Sequence, residues 1–228
     1  MLYNYSSTEN HLLLSQAALL LTHGCPAVIP GQGKPTSSAW LQVAIGHARA
    51  INADAYDDAD SEESETTRDE EVYYNSSCLK RLWWCCIIQD RIITLCFRQP
   101  IQIYQANFDF VKKNPLGLAD LKGDMDGLEA YSVQSKNVVV GITTLLAELC
   151  VRLTYTHELV YDYSGGDALS NAHGNIPKRI GAAKGHLKNW YKTASLTLLG
   201  WEDEIPEIPE EQRNMISLWT NLLWVYYE

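Results

Sequence analysis

Three groups of side chains have residue types suited to chemistry. The segment Gly31-Gln-Gly-Lys-Pro-Thr36 has the glycines and lysine of a phosphate-binding loop. Such a loop cradles phosphates on backbone N–H groups. It needs glycine five positions before its Gly-Lys pair and a hydroxyl residue directly after the lysine. Val28 and Pro35 hold those places, and no strand pattern precedes them. A nucleotide site is not expected there.

His157, Glu158 and Asp162, with His173 and His186 further on, could supply metal ligands or an acid–base pair. Their spacing matches no helical ligand motif of the HExxH kind, so they read as surface histidines. The six cysteines, Cys25, Cys78, Cys85, Cys86, Cys96 and Cys150, contain no CxxC pair. No zinc site follows from them, and their scatter suits reduced, buried thiols better than a disulfide framework. No serine or cysteine lies in a nucleophile elbow. The sequence therefore assigns no catalytic, cofactor-binding or metal-ligating residue, and an enzyme is not expected.

The bulk properties agree. The net charge of −10 and a pI near 5.0 oppose the lysine and arginine contacts that nucleic acid binding draws on. Direct DNA binding is not expected of this chain. The first ten residues lack a signal-peptide pattern. The apolar run Val138–Val151 contains Glu148 and is shorter than the roughly 20 residues of a membrane span, so no membrane partner is expected.

The elements that would position any site read as helices. Leu12–Leu21 is apolar and helical, and His23–Pro35 carries the glycines and prolines of a loop. Thr36, Ser37 or Ser38 can cap a helix over Ala39–Ala53. Asp57–Glu71 is an acidic run without aromatics and reads as a solvated linker.

From Leu79 to Phe97 comes a helix apolar on most sides, which belongs in the middle of a domain. It ends at Arg98-Gln-Pro100, because proline disfavours helical geometry in the residue before it. Ile101–Pro115 reads as extended and irregular, and Gly117–Gly127 as a polar connection. Helices follow over Leu128–Tyr163, Ile176–Ala194 and from Pro209 onward, with an acidic linker over Glu202–Pro209. The basic residues Lys178, Arg179, Lys184 and Lys188 read as a solvated face.

The fold expected is all-α: a compact array of antiparallel helices around a central tryptophan-rich helix. The organisation expected is N-terminal helices over 1–56, an acidic linker over 57–72, and the rest of the same domain over 73–228.

Asp90 on that central helix is costly to bury unless paired. Arg98, Arg91 and Arg81 are the candidate partners. Asp90 and Arg98 are about two turns apart, so their pairing would need a bend near Pro100. Trp83 and Trp84 read as core, with the wall of an effector pocket as the rival reading.

The segment Leu79-Lys-Arg-Leu-Trp-Trp-Cys-Cys-Ile-Ile-Gln-Asp-Arg-Ile-Ile-Thr-Leu-Cys-Phe-Arg-Gln-Pro-Ile101 resembles the signature of the fungal-specific transcription factor domain. That domain is the middle homology region of Zn2Cys6 zinc-cluster regulators. The matching blocks are Arg81-Leu-Trp-Trp84, Asp90-Arg91, and Arg98 with Pro100. Ser38–Asn52 is similar as well, with Ile51-Asn52 standing where the family often has Gly-Leu. The wording is closest to the cutinase-regulator subgroup.

The basic six-cysteine zinc cluster that the family carries is absent from this sequence. The resemblance implies a truncated regulatory domain that controls transcription in the nucleus without binding DNA itself. It also implies no cofactor in this chain, a protein partner or second copy, and a small-molecule effector as a further partner. The alternative is a helical enzyme or small-molecule-binding protein of a secondary-metabolite cluster, with a pocket near Trp83, Trp84, Tyr155, His157 and Tyr161.

Overall fold

The computed structural model describes residues 10–24, 36–56, 70–125, 131–161, 176–201 and 208–228. Among the described residues the chain forms seven α-helices, one short 3-10 turn and no strand, so the fold is all-α. The chain divides into two compact units, Met1–Ile93 and Thr94–Glu228. The division falls inside the third helix, not at the acidic run. The phosphate-loop residues 31–35 and most of the acidic run, 57–69, lie outside the described residues.

The first unit holds α1 (His11–Gly24), α2 (Ser37–Ala50), the 3-10 turn Ala53–Ala55 and most of α3 (Glu70–Phe97). Asn10 Oδ1 accepts from Leu13 N and caps α1. Thr36 Oγ1 accepts from Ala39 N and caps α2. Ser15, Ala18 and Thr22 recur at helical spacing and are buried, as are Leu41, Ala44, Ile45 and Ala48 of α2. Small residues on this seam let the two helices approach closely. Ser15 Oγ donates to Ala44 O at 2.8 Å, and His11 pairs with His47. The reversed order of these partners makes α1 and α2 antiparallel. Asn52 follows α2 with φ 57°, in the left-handed region that asparagine tolerates better than most residues.

His11 Nδ1 and His47 Nδ1 lie 2.8 Å apart. Burial, and then the neighbouring His11, lower the His47 pKa below its ordinary 6.5. The unfolded chain therefore binds a proton at His47 more readily than the folded chain does. The sign follows: stability falls as pH drops through 6.5 toward the lower folded value. Calorimetric melting temperatures should decline over this window, and His47→Gln should flatten the decline.

α3 begins at Glu70, well before Leu79. Acidic residue types are favoured in a first turn, so the end of the acidic run is helical. The helix closes at Arg98, with φ 51°. A left-handed residue commonly ends a helix, although glycine usually fills that place.

The second unit starts with the end of α3 and the irregular segment from Ile101 to Leu116. That segment buries Ile101, Ile103, Phe108, Phe110 and Leu116. Its turns are held by side chains. Asn107 Oδ1 accepts from Tyr104 N, and Asn107 Nδ2 donates to Gln102 O. Asp109 Oδ1 accepts from Val111 N and Lys112 N.

The stretch expected as a polar connection contains a helix, α4 (Leu118–Met125). Asp120 Oδ2 accepts from Gly117 N at 2.8 Å, the backward half of a capping box.

α5 (Val133–Tyr161) follows, then α6 (Ile176–Gly200) and α7 (Glu210–Tyr227). α5 packs against α4, α6 and α7. It is long and apolar enough by composition to cross a membrane, and half of its most apolar stretch is buried within the protein. Buried Val138, Ile142, Ile208 and Ile216 form one cluster, with Val139, Leu198 and Trp201 against it.

The Trp201 indole occupies the space that a Cβ on Gly141 would need. Gly141→Ala should therefore displace that ring and cost about 1–3 kcal/mol, the usual penalty of overpacking. Urea unfolding checks the cost, and indole fluorescence checks the displacement.

Candidate functional site

The signature blocks lie on α3. Its tryptophans face inward: Trp83 and Trp84 are both fully buried. The Trp84 indole N–H donates to the Tyr56 hydroxyl at 3.0 Å, tying α3 to the turn after α2. The Arg49 guanidinium stands 5.5 Å from the Trp83 ring centroid, and the Lys80 ammonium 5.6 Å from that of Tyr56. Both are within reach of cation–π attraction. Lys80 is itself buried to 6% exposure, so its charge faces an aromatic ring in place of water. Burial pushes the Cys86 thiol far above its ordinary range, Cys85 and Asp90 adding to the shift and a hydrogen bond with Ser15 opposing it. Cys86 thus packs as a buried thiol, with its thiolate form disfavoured.

Asp90 and Arg91 are each 1% exposed, and Arg91 Nη1 donates to Asp90 Oδ2 at 2.6 Å. Adjacent helix residues do not face each other, so the long arginine side chain folds back to reach its neighbour. Of the three candidate arginines, Arg91 makes this bond. Arg81 is half-buried on the same helix. Arg98 is exposed at the helix end, and Pro100 is exposed just beyond. The structure thus brings Trp83, Trp84, Asp90 and Arg91 into buried positions and leaves Arg98 and Pro100 at the surface. This cluster can hold a helix in place.

The histidine group is dispersed. His157 is buried, against the surface position expected of it, and its ring centroid lies 6.4 Å from that of Tyr161. His186 is exposed and stacks with Tyr155 at 6.3 Å. Glu158 Oε1 accepts from Gln105 N, so this carboxylate holds the irregular segment onto α5. Asp162 and His173 lie outside the described residues. Among the described residues, no three histidine, cysteine or acidic side chains gather as a metal cluster.

Among the described residues the thiols are in no disulfide, but they are not uniformly buried. Cys86 and Cys150 are buried, Cys78 is half-buried, and Cys85 and Cys96 are exposed. Cys25 lies outside the described residues. Cys85 and Cys96 thus depart from the buried state expected, because they lie on the outward side of an otherwise apolar helix.

The second unit contains a feature that the sequence reading did not single out. Between α6 and α7 stand four aromatics in mutual contact, Trp190, Tyr191, Trp224 and Tyr227. The Tyr191 and Tyr227 rings are 4.9 Å apart and nearly parallel, and Tyr191 and Trp224 are 5.1 Å apart. The signal was present as a Trp-Tyr pair on one helix and aromatics three apart on the next, a spacing that shares a helix face.

Beside them lies a cleft of about 350 Å3. It is lined by Val138, Ser195, Leu198, Leu199, Trp201, Ile216, Thr220 and Trp224, none of them charged. A second cleft, of about 290 Å3, includes Phe110, Glu148, Arg152 and Tyr155. Burial raises the Glu148 pKa there, and Arg152 opposes the shift. Trp83 and Trp84 line neither cleft.

The cleft is lined mainly by apolar side chains, with the Ser195 and Thr220 hydroxyls as its polar groups. In the comparisons with known proteins, no family model, no curated protein and no solved structure matches this chain.

Proposed function

We propose that this chain is a regulatory domain of the fungal-specific transcription factor type, acting on transcription without touching DNA itself. One observation carries the reading. The tryptophan pair and the Asp90–Arg91 pair, which the resemblance singles out, are among the most deeply buried side chains of α3. The charged pair is costly to bury unless matched, and here the two charges meet each other on the same helix as the tryptophans. The net charge of −10 fits a domain that leaves phosphate contacts to another module. In this reading the domain acts in the nucleus through a protein partner or a second copy.

A second reading, a small-molecule-binding protein, is favoured by the uncharged cleft beside Trp201 and Trp224. The two readings meet if the cleft takes an effector.

The test tethers the full chain to an unrelated DNA-binding domain upstream of a reporter gene in a filamentous fungus. The expected result is a reporter level that differs from that of the DNA-binding domain alone. An identical level, from fusion protein shown to be folded and nuclear, would count against the regulatory reading.

A further inference from the structure

We propose that the basic outer face of α6 docks the acidic run Asp57–Glu71 of a second copy of this chain. α6 carries Lys178, Arg179, Lys184, Lys188 and Lys192 and no acidic residue. Those are five of the 18 basic residues in a chain that has 28 acidic ones. All five are exposed, and none has an ion-pair partner among the described residues.

The helix turns Ala183, Trp190 and Ala194 inward. At about 3.6 residues per turn, its four lysines fall within about a third of the circumference, on the opposite side. Lys184, Lys188 and Lys192 follow at four-residue steps, so like charges stand side by side, an arrangement that destabilises a helix. Gly181 and Gly185 lie on the same strip, and a Cβ on either would meet nothing within 4 Å. Glycine weakens a helix interior. No described neighbour needs the room that these two leave, and they let an incoming backbone come close between the lysines.

The occupant follows from charge. Asp57–Glu71 holds nine acidic residues, with Arg68 as its one cation. The strip from Lys178 to Lys192 is about 21 Å long. A run of this length, when extended, reaches about 50 Å and covers it. Two copies related by a two-fold axis make the contact twice, each lending its run to the other's α6. Salt confines the repulsion between two acidic copies to about 8 Å, so the opposed charges decide at contact. A duplex or an anionic bilayer has the same sign of charge as the run, but either is an extended surface that also meets the acidic remainder of the chain. The inference deepens the regulatory reading by choosing a second copy as the partner. Its test reads association in solution and not transcription, so the two can fail separately.

Analytical ultracentrifugation of the full chain at about 50 mM and about 500 mM salt tests the proposal, because screening weakens such contacts. The expected result is a dimer at the lower salt and a monomer at the higher. Lys184→Glu/Lys188→Glu/Lys192→Glu should weaken the dimer about tenfold or more, and Glu62→Lys/Glu63→Lys/Glu65→Lys should do the same. The two triple variants, once mixed, should associate with each other, since each then meets an opposite charge at both contacts. A monomer at both salt concentrations would overturn the proposal. So would a dimer that neither triple variant weakens, or mixed variants that stay apart. Duplex DNA bound at the lower salt by a chain that stays monomeric would overturn it in favour of nucleic acid.

Discussion

Asp90→Ala should lower the unfolding free energy by about 3–5 kcal/mol, the cost of breaking a buried ion pair from one side. Both partners are 1% exposed, and the bond between them is 2.6 Å long. Removing the carboxylate takes from the buried Arg91 guanidinium its charged acceptor at 2.6 Å. Water cannot replace that countercharge without opening the unit.

The mechanism makes a second, discriminating demand. Replacing both residues by leucine removes both charges together, so the double variant should lose far less stability than Asp90→Ala. Urea unfolding measures both. Equal midpoints for Asp90→Ala and the unaltered protein would show that the pair is not a stabilising element.

Trp84→Ala should cost a similar amount, about 3–5 kcal/mol, for a different reason. Trp84 is fully buried, and its removal leaves a cavity that the surrounding helices can only partly close. Trp84→Phe keeps much of the ring and loses the bond to Tyr56, so it should cost about 1–2 kcal/mol. Tyr56→Phe removes the same bond from the other side. A thermodynamic cycle over these two substitutions should therefore show coupling. Additive costs would mean that the indole–hydroxyl contact does not hold α3 to the turn after α2.

These two predictions rest on features that differ in how far the sequence discloses them. The helical character of α3 is legible because leucine, isoleucine and tryptophan recur there on most sides of a helix. A buried Asp90 needing an arginine is legible too, since burial of an unpaired carboxylate is so unfavourable. Which arginine answers is a matter of side-chain reach. The spacing argument makes Arg98 a partner only through a bend in the chain. In the structure Arg91 folds back and makes the bond itself, and Arg98 stands in a left-handed cap.

α4 was missed for a related reason. It is only eight residues long and half of them are aspartate, lysine or glycine, and the signal was a single aspartate three positions after glycine, weak until its bond to the Gly117 N–H is seen. The start of α3 is hidden in the sequence because its acidic residues look like part of a solvated run. The same residue types are at home in a helix's first turn.

The site in the second unit was the least legible part. Its cleft is made by three helices, α5, α6 and α7, each of which reads only as amphipathic. The seating of Trp201 against Gly141 depends on a backbone approach between residues sixty positions apart in sequence. No local pattern encodes that meeting. The same holds for His11 and His47, which the antiparallel seam brings together.

The deep burial of Trp83, Trp84, Asp90 and Arg91 predicts that the tryptophan-bearing segment is the most protected part of the first unit. Amide hydrogen exchange on the full chain, resolved by mass spectrometry of peptic fragments, addresses that directly. Peptides covering Leu82–Ile93 should exchange among the slowest in the first unit, opening only with unfolding of the unit as a whole. Fast exchange across Leu82–Ile93, while α1 and α2 remain protected, would contradict it.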